Sequence, residues 1–214
     1  MSRDPITLAV DAAGRTASLC LWAPPAEPEL CLLDSRGRRN GRVLVPEAAA
    51  LCGRHGLALG DVELVCVTLG PGSFTGLRLA VTFAKTLAFA AGCDAVGVPS
   101  HLALERLVQR RDPPGTRLRI VSDALRGDSY LTEVTTAGPG ELPLADGPRL
   151  VSSVEGPGEL VRVGEDACGP ATARTALAVG LERWRAGRRD DPFALVPLYV
   201  RRSSAEEKAD STPS

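Results

Sequence analysis

The sequence predicts an α/β fold with two lobes, of which the second is reduced. Three observations carry this prediction. Three short apolar segments, separated by turn residues, open the chain. Further along, a continuous apolar strand runs into a glycine-rich turn and a long apolar helix. A strand that ends in an aspartate before a tight turn occurs twice, at Asp11 and at Asp123, which indicates a duplicated lobe.

The first part of the chain predicts three strands and a helix. The segments "ITLAVDAA", "TASLCLW" and "LCLLD" are apolar and have turn residues between them, which favours an antiparallel meander. A helix is expected over residues 40–56. Pro46 must then lie in its first turn, where a missing N–H costs little.

The next elements alternate between strand and helix. "VELVCVTL", which follows Asp61, is apolar almost throughout and predicts a strand buried on both faces. The long helix after the glycine turn ends at Gly92, a typical C-cap residue. "AVGVPS" predicts a fifth strand, and Ser100 is expected to cap a helix that reaches Gln109. This β-β-β-α-β-α-β-α order is that of a ribonuclease-H-like lobe, the unit of actin-like proteins.

A proline-rich linker, "RDPPGT", separates this lobe, residues 1–110, from the rest. Three strands, "LRIVSDA", "YLTEVTT" and "LVRVG", follow it, with an exposed Gly/Pro-rich loop over residues 137–148 and a helix over residues 171–188. We expect a truncated second lobe at residues 117–203, with the C-terminal helix packed on the first lobe. The charged tail, residues 204–214, is expected to be disordered.

Composition excludes several classes of protein. The net charge is −1, and carboxylates dilute the basic run Arg183–Arg189, so we expect a solvated helix face there rather than a nucleic-acid surface. No apolar stretch reaches the ~20 residues of a membrane span. With no signal peptide recognised, a cytoplasmic protein without membrane contact is expected. The six cysteines form no CxxC pair and the two histidines no HxxxH pair, which predicts free thiols and no metal site.

The glycine turn has the context of a phosphate-binding loop but not the spacing of one. It lies between a strand and a helix N-terminus, which attracts anions. Gly70, Gly72 and Gly76 give GxGxxxG, whereas dinucleotide-binding turns have GxGxxG and Walker A loops need a lysine that is absent. Two interpretations stay open, a tight turn and an anion site. A vestigial nucleotide or anion site would comprise Asp11, Gly70, Gly72, Arg78 and Asp123.

The long helix is apolar over a wider arc than one sheet can cover. Its polar stripe is narrow, and Gly76, Ala80 and Ala84 recur every four residues as a ridge of small side chains. Such a ridge lets another helix approach closely. Periodicity alone leaves two interpretations, a central helix within its own fold and an interface with another chain.

These segments together resemble a known family. "GPGSFTGLRLAVTFAKTLA" closely resembles the GPGSFTG[LV]R segment of the TsaB (YeaZ-type) family, which takes part in making threonylcarbamoyladenosine on tRNA. "LAVDAAGRTASLCLW", "VGVPSHLALE", "DALRGDSY" and "PLYVRRS" are similar to further segments of that family. The similar segments span residues 6–203.

The chain departs from the family pattern at a few positions. Ala12 and Ala13 follow Asp11 where the family usually has a hydroxyl residue, and Asn40 lies near the place of a usual histidine. Asp128 replaces a usual glutamate. These changes put in doubt any ligand contact that the relatives make there.

The resemblance implies a two-lobed actin-like (ASKHA) fold and a non-catalytic scaffold that activates TsaD, the catalytic subunit for modification at position 37 of tRNA. A TsaE-type ATPase and tRNA would join through that complex, and self-pairing as a homodimer is allowed. It implies no cofactor of its own and allows a nucleotide at the partner interface. We expect that interface at Leu44, Ala48, Leu51, Ser73, Phe74, Gly76, Leu77, Ala80, Val81, Ala84 and Ala88.

A second function stays open at this level. Asp11, Asp123 and the glycine turn are compatible with a small ASKHA-type kinase or ATPase, because phosphoryl transfer needs carboxylates around Mg²⁺. The loop "AAGR" after the first strand offers a phosphate only backbone groups. We therefore expect Asp11 to be structural or a relic.

Overall fold

The computed structural model describes residues 3–14, 16–33, 43–109, 113–124, 127–136, 144–145, 147–162 and 172–200. The strands are β1 (Thr7–Asp11), β2 (Ser18–Trp22), β3 (Glu29–Leu32), β4 (Leu64–Gly70), β5 (Asp94–Pro99), β6 (Arg117–Asp123), β7 (Ser129–Thr135), β8 (Leu144–Ala145), β9 (Arg149–Val151) and β10 (Glu159–Arg162). The helices are α1 (Leu44–Arg54), α2 (Phe74–Ala91), α3 (Ser100–Gln109) and α4 (Ala173–Arg185), with a 3₁₀ turn at Leu59–Asp61.

The first sheet has the strand order β3-β2-β1-β4-β5. Strands β1, β2 and β3 pair antiparallel, whereas β4 pairs parallel with both β1 and β5. β1 is buried along its whole length, as expected for an apolar run in the middle of a sheet. The predicted meander and the ribonuclease-H-like order are confirmed.

Helices cover both faces of this sheet. Val10 and Val67 point into a core that α1 and α2 complete, whereas Ala9 and Cys66 point into a second core with α3 and α4. The alternation follows from the two-residue period of a strand. A Cβ at Gly180 of α4 would be 2.3 Å from the Cys66 Sγ, so this glycine lets α4 pack closely on β4.

The second sheet has the order β10-β6-β7-β8, and β9 also pairs with β7. Its core is small and, among the described side chains of α3, includes Leu104. α4 follows this sheet in the chain but packs on the first one. The lobe boundaries stay a prediction, and the tail at 204–214 lies outside the described residues.

Some boundaries differ from those expected. β4 begins at Leu64 rather than after Asp61, because the Asp61 carboxylate accepts the Ala58 N–H at 2.7 Å and closes a 3₁₀ turn. The loop expected over residues 137–148 contains β8, which pairs with β7. Ser100 does not cap α3: its hydroxyl has no hydrogen-bond partner, and it is the first residue of the helix.

The cysteines within the described residues are free thiols, as predicted. Burial raises the pKa of the Cys20 thiol and of the Cys93 thiol, each to about 11. Burial also raises the pKa of the Cys66 thiol. These thiols are protonated at neutral pH and behave as small apolar side chains.

Candidate functional site

The glycine turn lies directly against the turn between β1 and β2. A Cβ at Gly72 would be 2.5 Å from the Ala13 O, and a Cβ at Gly76 would be 2.1 Å from the Ala12 O. Backbone atoms cannot move aside as a flexible side chain can, so both positions require glycine. The two glycines allow two turns of the same chain to meet.

The start of α2 is held by acceptors of the chain itself. The Ser73 Oγ accepts the Gly76 N–H at 3.2 Å, which makes Ser73 the N-cap. The Ser73 N–H donates to the Ala13 O at 2.7 Å, and the Leu77 N–H donates to the Ser73 O at 2.8 Å. These contacts favour the tight-turn interpretation over the anion site.

Asp11 holds the turn between β1 and β2 by hydrogen bonds to Ala13 and to Thr68 of β4. Its Oδ1 accepts the Ala13 N–H and the Thr68 hydroxyl, each at 2.8 Å, and the side chain is buried. Burial raises the pKa of the Asp11 carboxyl, and the two hydrogen bonds oppose that increase. Both partners orient the carboxylate toward its own turn, which supports a structural role.

Gly70 and Arg78 of the predicted nucleotide site have contacts of their own. Gly70 ends β4 with φ +104°, and a Cβ there would be 2.6 Å from the Leu77 side chain. The guanidinium of Arg78 is exposed and lies 5.3 Å from the centroid of the Phe74 ring. Asp123 ends β6 in the second sheet, and its side chain lies outside what the structure describes.

The predicted partner interface requires a correction. Most of its residues are in the core of this chain, because the small side chains of α2 face the sheet and let the helix approach it. The buried ones are Leu44, Ala48, Leu51, Gly76, Leu77, Ala80, Val81, Ala84 and Ala88. Ser73 is half-buried, and Phe74 is 40% exposed. The ridge of small residues is therefore buried against the sheet of its own chain.

The surface that α1 and α2 do present is an apolar groove of about 360 Å³ between them. α1 contributes Leu44 and Val45, the 3₁₀ turn contributes Leu59 and Gly60, and α2 contributes Leu79, Thr82, Phe83, Thr86, Leu87, Ala90 and Ala91. Val45 is 52% exposed. Sequence reasoning missed the positions at Leu79, Thr82, Thr86 and Ala90, although their spacing of three to four residues marks one helix face.

A second flank of α2 is covered by residues 190–200, which we call the C-terminal segment. The Lys85 ammonium donates to the Phe193 O at 3.1 Å and to the Leu195 O at 3.2 Å. The Leu198 N–H donates to the Leu69 O at 2.6 Å, beside the end of β4. The apolar arc of α2 thus has three parts: one packs on the sheet, one lines the groove, and one is covered by the C-terminal segment.

The C-terminal segment carries exposed apolar side chains along α2. The Tyr199 ring lies 5.0 Å from the Phe74 ring, and the Phe193 ring lies 6.0 Å from the Phe89 ring. Phe89 is 74% exposed and Phe193 is 71% exposed. The sequence could not predict these two ring pairs, because each joins residues more than a hundred positions apart.

Two other expectations concern metals and membranes. Within the described residues, no group of three or more His, Cys, Asp or Glu side chains could hold a metal ion. α2 has the length and hydropathy of a membrane-crossing helix. Its apolar side lies on the sheet, however, as in the core helix of an α/β domain.

The chain is similar to known proteins over most of its length. A model of the family TsaD: tRNA N6-adenosine threonylcarbamoyltransferase matches residues 37–140. The tRNA threonylcarbamoyladenosine biosynthesis protein TsaB of Escherichia coli K12 is 30% identical over 129 residues, which are 59% of this chain and 53% of that protein. The chain thus matches about half the length of that relative.

Two further proteins are matched more completely. An uncharacterized protein of Mycobacterium tuberculosis H37Rv is 32% identical over 183 residues, 82% of this chain and 81% of that protein. A crystal structure from Pseudomonas aeruginosa, described as having similarity to peptidase YEAZ, superposes with a TM-score of 0.77 at 22% identity. It covers 92% of this chain and 100% of that one, which shows the fold.

Proposed function

Since the chain belongs to the TsaB (YeaZ-type) family, we propose that it serves in the biosynthesis of threonylcarbamoyladenosine on tRNA. In this proposal it is a non-catalytic subunit that pairs with a TsaD-type catalytic subunit and activates it. The complex works in the cytoplasm, where a TsaE-type ATPase and tRNA join it. The chain brings no cofactor, and any nucleotide binds at the interface between the subunits.

The observation that carries this proposal is the apolar groove between α1 and α2. An exposed apolar surface on a monomer marks a contact site when polar residues do not interrupt it. Along α2 the groove is interrupted only by Thr82 and Thr86, whose methyl groups pack as apolar side chains do. A helix of a second subunit fits between two such helices as in a bundle.

The turn at Asp11 supports a scaffold rather than a phosphoryl-transfer enzyme. Ala12 and Ala13 lie so close to Gly76 and Gly72, at the N-terminus of α2, that neither glycine has room for a side chain. The Asp11 Oδ1 is engaged by two donors of the chain, Ala13 N–H and Thr68 O–H. A kinase or ATPase of this fold needs both the space and a carboxylate that can turn to Mg²⁺.

Arginine substitutions in the groove test the proposal. Ala90 and Thr86 line the groove and are exposed, so Ala90→Arg and Thr86→Arg introduce a charge without disturbing the core. Both variants are expected to lose co-elution with the TsaD-type subunit in size-exclusion chromatography. Ala186→Arg, an exposed position just after α4, is the matched control and keeps it.

Two results would contradict the proposal. Full pairing of both groove variants would show that the partner sits elsewhere. Turnover of ATP with Mg²⁺ by the isolated chain, abolished in Asp11→Asn, would favour the enzyme alternative. Substitutions at Ala80 or Ala84 cannot serve in this test, because an arginine in the core would unfold the chain.

A further inference from the structure

Exposed large apolar side chains concentrate in one part of this molecule. Among the described residues nine such side chains are exposed, and six of the nine belong to α2 and the C-terminal segment. We call these six the apolar stripe: Phe74, Phe89, Phe193, Val196, Leu198 and Tyr199. A single exposed apolar residue is ordinary on a protein surface, whereas a group of them marks a contact site.

The rings of the apolar stripe cover one another only in part. The Phe89 ring of α2 lies 6.0 Å from the Phe193 ring of the C-terminal segment. In spite of this contact, Phe89 is 74% exposed and Phe193 is 71% exposed. Most of the surface of both rings is therefore free to contact another molecule.

The backbone beneath the stripe is fixed in place. The Lys85 ammonium donates to the carbonyl oxygens of Phe193 and Leu195, and the Leu198 N–H donates to the Leu69 O. The Leu195 side chain is 5% exposed and packs in the core of the first sheet. A surface that is ordered before binding loses less entropy when a partner docks on it.

The apolar stripe adjoins the groove on the exposed face of α2. Successive residues of an α-helix are about 100° apart, so Phe89 lies about 20° around the helix axis from Thr82 and about 60° from Thr86. Thr82 and Thr86 both line the groove, as does Ala90, the residue after Phe89. A helix that lies in the groove along α2 would therefore also meet the Phe89 ring.

The groove is too small to hold a protein subunit by itself. A stable interface takes about 20–30 residues from each partner. The groove has eleven lining residues, and three of them, Leu44, Phe83 and Leu87, are already buried in the core of this chain. A stable pairing at the groove must therefore extend beyond it, and the apolar stripe is the adjoining surface.

We propose that the apolar stripe and the groove form one interface, on which the same TsaD-type subunit docks. This inference rests on the proposed function and deepens it, because it assigns the rings of Phe89 and Phe193 as anchors of the pairing. Aromatic side chains supply large apolar areas at interfaces and are enriched there. The matching surface of the partner is an apolar helix face that spans both the groove and the rings.

Removal of the two rings tests the proposal. Phe89→Ala and Phe193→Ala each delete an exposed ring and keep the backbone hydrogen bonds of the C-terminal segment. Each is expected to weaken the binding of the purified TsaD-type subunit, measured by isothermal titration calorimetry, roughly tenfold or more. Unchanged circular dichroism of both variants would show that a loss of binding does not come from unfolding.

Leu32→Ala is the matched control. Leu32 is also a large apolar side chain, 59% exposed, but it belongs to β3 at the other edge of the first sheet. Leu32 shares a face of β3 with Leu30, which packs against the second core, on the side of the sheet opposite α2. This variant is expected to bind the TsaD-type subunit as the unmodified chain does.

The groove variant Ala90→Arg separates this inference from the proposed function. If Ala90→Arg abolishes binding but the two ring variants bind normally, the groove is the interface and the inference about the apolar stripe is overturned. If Ala90→Arg binds normally as well, the groove is not the interface and both proposals fail. Weaker binding by Ala90→Arg and by both ring variants supports one shared interface.

A second copy of this chain is the other occupant that the test can identify. Sedimentation velocity of the isolated chain over a range of concentrations measures its self-association. If the ring variants reduce self-association and still bind the TsaD-type subunit normally, the apolar stripe belongs to a contact between copies, and the proposal is overturned.

Discussion

The carbonyl oxygen of Ala12 lies where a side chain at Gly76 would begin, 2.1 Å from an ideal Cβ. Gly76, in the first turn of α2, is thus a contact between two turns of one chain. The same turns are joined by the Ser73 N–H, which donates to the Ala13 O. A sequence with the appearance of a phosphate loop here serves to position a helix.

Gly76→Ala is expected to destabilise the chain by about 1–3 kcal/mol or more, because the new methyl group meets backbone that cannot rotate away. Urea unfolding followed by circular dichroism measures the change. Gly14→Ala is the matched control in the neighbouring turn, where a Cβ meets nothing within 4 Å. Equal stability of the two variants would show that the turns can separate at little cost.

Asp11→Asn should change how stability depends on pH. The asparagine Oδ1 can accept the same hydrogen bonds from Ala13 and Thr68, but it carries no charge to desolvate. Because burial raises the folded-state pKa of Asp11 above 3.8, ionisation costs stability as the pH rises from the unfolded pKa to the folded one. The free energy of unfolding of Asp11→Asn, relative to the unmodified chain, should therefore increase through that window and level off above it.

Asp11→Ala separates the charge from the hydrogen bonds. It leaves two donors, the Ala13 N–H and the Thr68 hydroxyl, without their acceptor and should cost about 1–3 kcal/mol at every pH. If the difference in unfolding free energy between Asp11→Asn and the unmodified chain does not change with pH, Asp11 has the same pKa in the folded and unfolded chain.

Lys85→Met is expected to loosen the C-terminal segment. The ammonium holds the Phe193 O and the Leu195 O, and methionine keeps the packing of the stem while removing both hydrogen bonds. Hydrogen exchange at the Leu198 amide should accelerate roughly tenfold. Thr82→Ala, an exposed change on the same helix, should leave that amide unaffected.

Gly180→Ala should destabilise the packing of α4 on β4 by about 1–3 kcal/mol, since its methyl group would lie 2.3 Å from the Cys66 Sγ. Cys66→Ala removes that sulfur and should restore part of the lost stability. A double-mutant cycle by chemical unfolding measures the coupling. Additive effects would show that the two residues do not press on each other.

Local patterns were sufficient for most of the elements of this chain, although not for β8 and β9. Alternating apolar residues predicted β1, β2 and β3, and Gly92 ends α2 in the left-handed conformation that its position suggested. The order of these elements limits a parallel sheet to few arrangements, so the ribonuclease-H-like lobe followed from the sequence. Asn40 lies outside the described residues, so its departure from the family pattern stays untested.

The periodicity of the sequence does not show in which direction the side chains of α2 point. α2 is apolar on several sides, and the sequence could not indicate which side faces the sheet. The sheet selects the face of Ala80, Ala84 and Ala88, because small residues let the helix approach closely and bury the most surface. The face with Thr82 and Thr86 stays exposed.

The sequence by itself determined most of the elements, their order and the family, because these depend on residues close together in the chain. Only the tertiary structure decided what the glycine turn contacts and which face of α2 is exposed. Each of these depends on packing between residues far apart in sequence. Such packing is settled by the burial of surface in three dimensions, which no local pattern records.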